Sequence, residues 1–243
     1  MRRFGLIGHP LTHSFSRKYF TEKFQREGRT DCVYENFPIP SLDELDKIIA
    51  AHPDLEGINV TIPYKKSVIP YLDSLAESLP VAACNCIRIS HGIKVGYNTD
   101  IVGFEKSLVK GLMPWHRKAL ILGNGGATEA VRYVLEKLGI GYLVVSRQLH
   151  AGSSLVYSQL TEGLVGDYLL IVNTTPLGMY PSVDESPPIP YEAIGSKHYL
   201  FDLVYNPEKT VFLMQGERRG ATTRNGAEML ELQAEESWRI WNS

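Results

Sequence analysis

The chain has 243 residues, 44 % of them hydrophobic and 21 % charged, with a formal net charge of −2. That length supports one large domain or two modest ones around a real core. The near-neutral charge, with basic residues scattered and the densest cluster only Glu217-Arg218-Arg219, leaves no electrostatic footprint for nucleic acid or an anionic membrane.

Strand-like and helix-like segments alternate from end to end, which predicts α/β layers on mainly parallel sheets. FGLIG (4–8) reads as a first strand. SRKYFTEKFQREG then sets Tyr19, Phe20 and Phe24 at helical spacing, with Ser14 or Ser16 as cap and Gly28 as stop. CVYENFPI is a second strand, and SLDELDKIIAAH a helix with Leu42, Leu45, Ile48 and Ile49 on one face. In GINVTIPYKK (57–66), Ile58, Val60 and Ile62 alternate with Asn59 and Thr61, the mark of a half-buried strand, and Pro63 is expected to end it. A helix through Val68, Leu72 and Leu75 is expected next, then a hairpin of NCIRIS and IKVGY joined by His91-Gly92, then a helix from Thr99 or Asp100 to about Lys110.

A second set starts at KALILGNGGATEAVRYVLEKLG, a strand, a glycine turn and a helix whose apolar face holds Ala130, Val131, Val134, Leu135 and Leu138. YLVVSR follows as a strand. Residues 148–167 are too short and too rich in Ser and Gly for a full crossover helix, so a short strand and a single helical turn are expected there. YLLIVN and YLFDLV are near-continuous apolar strands, as a sheet covered on both faces needs. GAEMLELQAEESWRIW closes the chain as an amphipathic helix in which Gln233 is the polar exception on the face of Met229, Leu230, Ala234, Ser237, Trp238 and Trp241. The break near residues 98–116 predicts two α/β lobes with a cleft between them, where small ligands usually sit.

The chemistry-bearing signals are few. In LILGNGGATEA, Gly123, Gly125 and Gly126 fall where a buried strand turns into a helix, so the backbone can approach a pyrophosphate and the helix N-terminus can bind it. Thr128 stands where the fingerprint has its third glycine. The next strand ends in Ser146-Arg147 rather than in a carboxylate, which suits a ribose 2′-phosphate and so NADP over NAD, unless Arg147 is simply an exposed residue after a strand. Ser14 and Ser16, at a strand-to-helix turn, can either cap the helix or hold a carboxylate. Asp100 at a helix start either favours the dipole or takes part in catalysis. A polar strand face ending in Lys65, then Asp100, then a dinucleotide turn together point to hydride transfer to or from a carbonyl, with proton transfer by Lys or Asp.

Cysteines 32, 84 and 86 are odd in number and fit a reducing compartment better than a disulfide framework. Cys84-x-Cys86 lacks the spacing of a zinc site and the seven histidines show no ligand pairing, so no metal is expected. The N-terminal MRRFGLIGHPLTHS is too short for a secretory core and no stretch approaches ~18 apolar residues, so a cytoplasmic protein without a membrane partner is expected.

The ordered series GHPLTHSFS, GINVTIPYKK, AACNCI, GYNTDIVGF, LGNGGA, NTTPLGMYP, DLVYNPEKT and NGAEMLELQAEESW resembles the shikimate dehydrogenases, over nearly the whole chain. The resemblance implies reversible NADPH-linked reduction of 3-dehydroshikimate to shikimate by a monomer or homodimer. It implies a substrate-binding and catalytic domain over 1–100, completed by the helix of 226–243, and a Rossmann-like NADP domain over 101–225. It would make Lys65 and Asp100 the catalytic pair. Ser14 and Ser16 would hold the substrate carboxylate, and Thr61, Asn85, Gln233 and Tyr205 would complete the substrate site. Gly123, Asn124, Gly125, Gly126 and Ala127 would take the pyrophosphate, and Ser146 and Arg147 the 2′-phosphate. Thr174 to Met179, Leu203 and Gly226 would line the nicotinamide, and the last helix would return to the first lobe.

Three departures from the family pattern bear on this. Cys86 replaces a hydroxyl residue beside Asn85, Ala151 stands where a second basic residue usually follows Arg147, and the segment 148–167 is short. They weaken NADP selectivity more than the reaction. A quinate/shikimate dehydrogenase using NAD, or a non-catalytic paralogue binding the dinucleotide or a shikimate-like acid, shares the same fold and stays open, as does which of Lys65 and Asp100 holds the transferred proton.

Overall fold

A computed structural model describes residues 1–11, 15–76, 82–149 and 151–243. The chain divides into two compact units, Met1–Val102 with Glu231–Ser243, and Gly103–Leu230. Both divisions fall inside helices, α3 (Asp100–Leu108) and α7 (Ala227–Trp241).

The first unit is built on a six-stranded sheet in the order β2-β1-β3-β5-β6-β4, comprising β1 (Arg2–Gly8), β2 (Cys32–Pro38), β3 (Leu55–Val60), β4 (Ser74–Leu75), β5 (Cys86–Ser90) and β6 (Ile93–Tyr97). β1 is parallel to β2 and β3, whereas β5 runs antiparallel to both β3 and β6. His91 and Gly92 both take positive φ, 50° and 79°, as the expected two-residue hairpin turn requires.

Alternation along β3 separates two cores. Ile58 and Val60 join Ile7, Leu45 and Ile87 on one face of the sheet. The other face packs Phe4, Leu6, Phe20, Phe24 and Tyr34 from β1, α1 (Phe15–Arg26) and β2 against Ala234, Trp238 and Trp241 of α7. The Trp241 ring lies where a Cβ on Gly57 would stand, and its Nε1–H donates to the Ile87 carbonyl at 3.0 Å. The last helix therefore completes the first unit's core.

Several expectations need correction. Ile62 is not a third anchor of β3; the strand ends at Val60 and Ile62 is 68 % exposed. No helix runs through Val68, Leu72 and Leu75. Pro70 has no N–H to give, so only a short 3₁₀ turn forms at Ile69–Tyr71, and Ser74 and Leu75 instead pair with β6. Ser16 lies inside α1 and does not cap it; Ser14 falls outside the described residues. The helix of 41–52 is split into a 3₁₀ turn and α2 (Leu45–Ala51), with Ser41 capping the turn.

The second unit carries an all-parallel sheet in the order β12-β11-β10-β7-β8-β9, from β7 (Lys118–Leu122), β8 (Gly141–Ser146), β9 (Leu155–Val156), β10 (Leu170–Asn173), β11 (Tyr199–Asp202) and β12 (Thr222–Arg224). The order reverses between β7 and β10. That is the switch point of a doubly wound fold, and ligands sit beyond the strand ends there. β10 and β11 are buried at every residue, which accounts for their unbroken apolar runs. α4 (Gly126–Lys137) leaves the glycine turn after β7, and 148–167 holds β9, a 3₁₀ turn and α5 (Glu162–Asp167). Two further elements, α6 (Val211–Glu217) and β12, are too short to show a period in the sequence and are visible only in the fold.

Candidate active site

β3 ends where Thr61 N–H bonds to the Ile7 carbonyl, and the chain then turns, with Tyr64 N–H donating to Thr61 O at 2.9 Å. The Tyr64 hydroxyl anchors this turn on the Ile39 carbonyl. Cys84 N–H donates to the Lys65 carbonyl at 2.7 Å, which fixes the lysine beside the segment that bears Asn85. Lys65 Nζ then lies 2.6 Å from Asp100 Oδ2. Asp100 opens α3, its own N–H donating to Asn98 Oδ1, which sets the residue at the helix N-terminus.

Asn85 Nδ2 donates to Asp100 Oδ1 at 2.9 Å and to Thr99 Oγ1, while its Oδ1 accepts from the Thr99 N–H. Both ends of this amide are therefore engaged in placing the carboxylate. A buried ion pair is a poor source of stability because desolvation offsets the attraction. Here it leaves the ammonium of a lysine side chain that is 18 % exposed, aimed by a carboxylate whose second oxygen is also taken, an arrangement suited to proton transfer in a fixed direction.

Behind the pair runs a buried polar network centred on Asn59, a strand residue for which the sequence suggests only a structural place. Asn59 accepts from the Tyr34 hydroxyl at 2.8 Å, and donates to the Asn85 carbonyl at 3.2 Å and to Ser237 Oγ at 2.9 Å. Thr99 Oγ1 meets both Ser237 Oγ and Gln233 Oε1 at 3.2 Å. Ser16 reaches the other end of the network through the Tyr34 hydroxyl. Of the expected substrate residues in this unit, Asn85 and Gln233 thus lie on one continuous set of bonds with Ser16 and Asp100, and Thr61 sits half-buried against Gly8. Tyr205 belongs to the second unit, after β11, its phenol pushed up by burial.

In the second unit, the strand ends at the switch point surround a cavity of about 650 Å³, lined by the turn Gly123-Asn124-Gly125, by Ser146 and Arg147 at the end of β8, by Tyr157, and by Thr174 to Leu177 after β10. Gly123 takes φ 112°, and a Cβ there would meet Thr174. At Gly125 a Cβ would find open space, so the turn presents bare backbone to the cavity. Thr128 does what a third glycine would not. Its Oγ1 accepts from Gly125 N–H at 3.1 Å, lies 3.2 Å from Gly123 O, and meets Thr174 Oγ1 at 2.9 Å, tying the turn to β10.

The residues around this cavity fit a phosphorylated dinucleotide. Arg147 is exposed, makes no ion pair among the described residues, and no carboxylate lines the cavity. The Ser146 hydroxyl donates to the Gln148 carbonyl at 2.6 Å and so holds the start of the loop after β8. Tyr157, which carries no signal in the sequence, has a buried hydroxyl without a partner among the described residues, and burial pushes its phenol up to about 12.

The loop after β10 is set from below. Asn173 Oδ1 accepts from Thr175 N–H and Oγ1, and its Nδ2 donates to Asp202 Oδ1 at 2.9 Å. Asp202 is fully buried, and burial pushes its carboxyl up to about 6 against hydrogen bonds from Thr210, Val204 N–H and Asn173. Leu203 and Gly226 are also brought together, since a Cβ on Gly226 would overlap the Leu203 carbonyl. Ala127 follows Gly126 in the first turn of α4. Among the described residues, no group of three or more His, Cys, Asp or Glu side chains is placed to hold a metal, and no helix is long and apolar enough to cross a membrane.

Residues 6–87 match the family model of the shikimate dehydrogenase substrate binding domain. A shikimate dehydrogenase (NADP(+)) of Methanosphaera stadtmanae is 34 % identical over 256 residues, covering 98 % of this chain and 90 % of that protein. The chain belongs to the shikimate dehydrogenase family. The crystal structure of shikimate 5-dehydrogenase from Thermus thermophilus, in complex with NADP(H) and shikimate, superposes with a TM-score of 0.86 at 28 % identity, covering 99 % of this chain and 93 % of that one. Quinate dehydrogenase from Corynebacterium glutamicum, in complex with NAD, reaches the same TM-score of 0.86 at 25 % identity, with 99 % and 93 % covered. Both shikimate and quinate dehydrogenases thus share this architecture.

Proposed function

We propose that this chain is an NADP-dependent shikimate dehydrogenase, catalysing the reversible reduction of 3-dehydroshikimate to shikimate on the route to aromatic amino acids. The observation that carries the reading is the Lys65–Asp100 pair at 2.6 Å, set by Asn85 within the unit that matches the substrate binding domain. NADPH, when bound, supplies the hydride that reduces the C3 carbonyl. Lys65 gives the alkoxide oxygen its proton and, as an ammonium, stabilises the charge that develops there. Asp100 aims the ammonium and accepts from the substrate hydroxyl. Ser14, Ser16, Thr61, Gln233 and Tyr205 are assigned to the substrate carboxylate and ring hydroxyls. The first unit is read as the substrate-binding and catalytic domain. The second is read as the NADP domain, holding the pyrophosphate at Gly123 to Ala127, the 2′-phosphate at Ser146 and Arg147, and the nicotinamide at Thr174, Leu203 and Gly226. The reading carries with it a cytoplasmic enzyme working on soluble small molecules as a monomer or homodimer.

The test is loss of NADPH absorbance with 3-dehydroshikimate and 3-dehydroquinate supplied separately, each repeated with NADH. Turnover of 3-dehydroshikimate with NADPH supports the reading. Faster turnover of 3-dehydroquinate with NADH would replace it by a quinate dehydrogenase, the reading that Arg147 at the end of β8 argues against.

A further inference from the structure

The loop after β8 is fastened by a side chain from another element. Arg132, on the second turn of α4, sends Nη2 to Asn124 Oδ1 at 3.2 Å and to the Gly152 carbonyl. Asn124 in turn donates Nδ2 to the neighbouring Ala151 carbonyl at 3.2 Å. Two successive carbonyls of the loop are thereby captured by two side chains that also bond to each other. Gly152 makes room for this: it takes φ 88°, and a Cβ there would stand against the Arg132 guanidinium. The Arg132 side chain is 18 % exposed, its Nη1 is 3.7 Å from Glu129, and its Nε–H is buried without a partner among the described residues.

A cation so enclosed costs desolvation that two carbonyl-type acceptors and a loosely placed carboxylate offset only in part. What it accomplishes is positional. Asn124 lines the pyrophosphate turn, and Arg147 begins the loop whose far side Arg132 holds, so Arg132 fixes the distance between the two phosphate-facing parts of the cavity. We infer that Arg132 is a positioning residue for cofactor discrimination, holding the loop after β8 so that Arg147 meets a 2′-phosphate, in a chain where Ala151 offers no second cation. The inference rests on the reading of Arg147 as the 2′-phosphate residue.

The experiment measures binding of 2′,5′-ADP and of 5′-AMP by calorimetry, with KM for NADPH and NADH, in wild type, Arg132→Met, Arg132→Lys and Arg147→Met. Arg132→Met is expected to weaken 2′,5′-ADP about tenfold, the worth of one charge-assisted hydrogen bond, and to raise KM for NADPH in parallel. Binding of 5′-AMP and KM for shikimate are expected to stay unchanged, with Arg132→Lys in between because an ammonium keeps the charge and loses the planar fork. Equal weakening of both nucleotides, or of neither, overturns the inference. If Arg147→Met collapses the preference for 2′,5′-ADP and Arg132→Met does not, only the inference falls. If Arg147→Met leaves the preference intact, the reading beneath it falls as well. Should Arg132→Met fail to fold, Arg132→Lys carries the same comparison.

Discussion

Lys65 Nζ lies 2.6 Å from one oxygen of Asp100, and Asn85 Nδ2 lies 2.9 Å from the other. The lysine and the amide thus divide the carboxylate between them, and removing either leaves a buried charge with an open side. Lys65→Ala is expected to lower kcat by ~10²–10⁴-fold with modest change in KM for shikimate, the usual worth of a general acid–base group. Steady-state kinetics in both directions would check it. A variant with near-normal kcat removes Lys65 from the chemistry.

Asn59 is the more structural counterpart. Replacing it by Leu keeps its branched shape but strips a hydrogen bond from the Tyr34 hydroxyl, the Asn85 carbonyl and Ser237 Oγ, all buried. The Asn85 carbonyl keeps the Val60 N–H, Ser237 Oγ keeps Thr99 and the Gln233 carbonyl, and Tyr34 keeps Ser16, so the loss is three hydrogen bonds at about 0.5–1.5 kcal/mol each, and Asn59→Leu is expected to cost roughly 3 kcal/mol. It should also lower kcat, since the Asn85 segment that places Asp100 loses one of its anchors. Urea denaturation and a cycle with Ser237→Ala would measure it; additive costs would show that Asn59 and Ser237 are not coupled.

These two residues mark how far the sequence could be read. Lys65 and Asp100 were legible because residue type, a strand end and a helix start coincide at each of them. Asn59 was not, because its partners Tyr34, Asn85 and Ser237 lie 25, 26 and 178 residues away and only folding joins them. Ile62 misled because alternation continues in the letters after the ladder has ended at Val60. The helix expected beyond Lys65 failed at Pro70, where local chemistry outweighed apolar spacing. Arg132 had no signal at all, since an arginine on a helix shows nothing of a loop 20 residues on. The glycine turn was the reverse case. Its strand, glycines and helix are contiguous, and contiguous chemistry survives in sequence.

The carboxyl of Asp202 gives a pH signature. Its ordinary value near 3.8 is pushed up to about 6 by burial. Between those values the unfolded chain has already lost the proton while the folded one keeps it, so stability falls as pH rises from about 4 to about 6 and levels off above. At ~1.4 kcal/mol per unit this amounts to roughly 3 kcal/mol. Asp202→Asn keeps an acceptor for Val204 N–H and Asn173 Nδ2 and cannot ionise. Its stability relative to wild type is therefore expected to improve by about that amount on going from pH 4 to pH 7.5. Denaturation at the two pH values is the check; a constant difference would show that Asp202 ionises in the folded protein as it does in the unfolded one.

Thr128 offers the corresponding test at the cofactor turn. Its hydroxyl accepts the Gly125 N–H and links the Gly123 carbonyl to Thr174, so it sets both the start of α4 and the spacing of the β7 and β10 ends. Thr128→Ala removes a cap, which costs about 1–2 kcal/mol, and frees the two strand ends to move apart. NADPH binding is expected to weaken several-fold while kcat at saturating cofactor stays close to wild type, because no group touching the substrate is lost. Thr128→Ser keeps the hydroxyl and should restore most of the affinity, whereas a glycine at this place, as in the dinucleotide fingerprint, should not. Calorimetric titration of NADPH into the three variants decides it. Equal affinity in Thr128→Ala and wild type would show that the glycine turn holds its shape without the threonine.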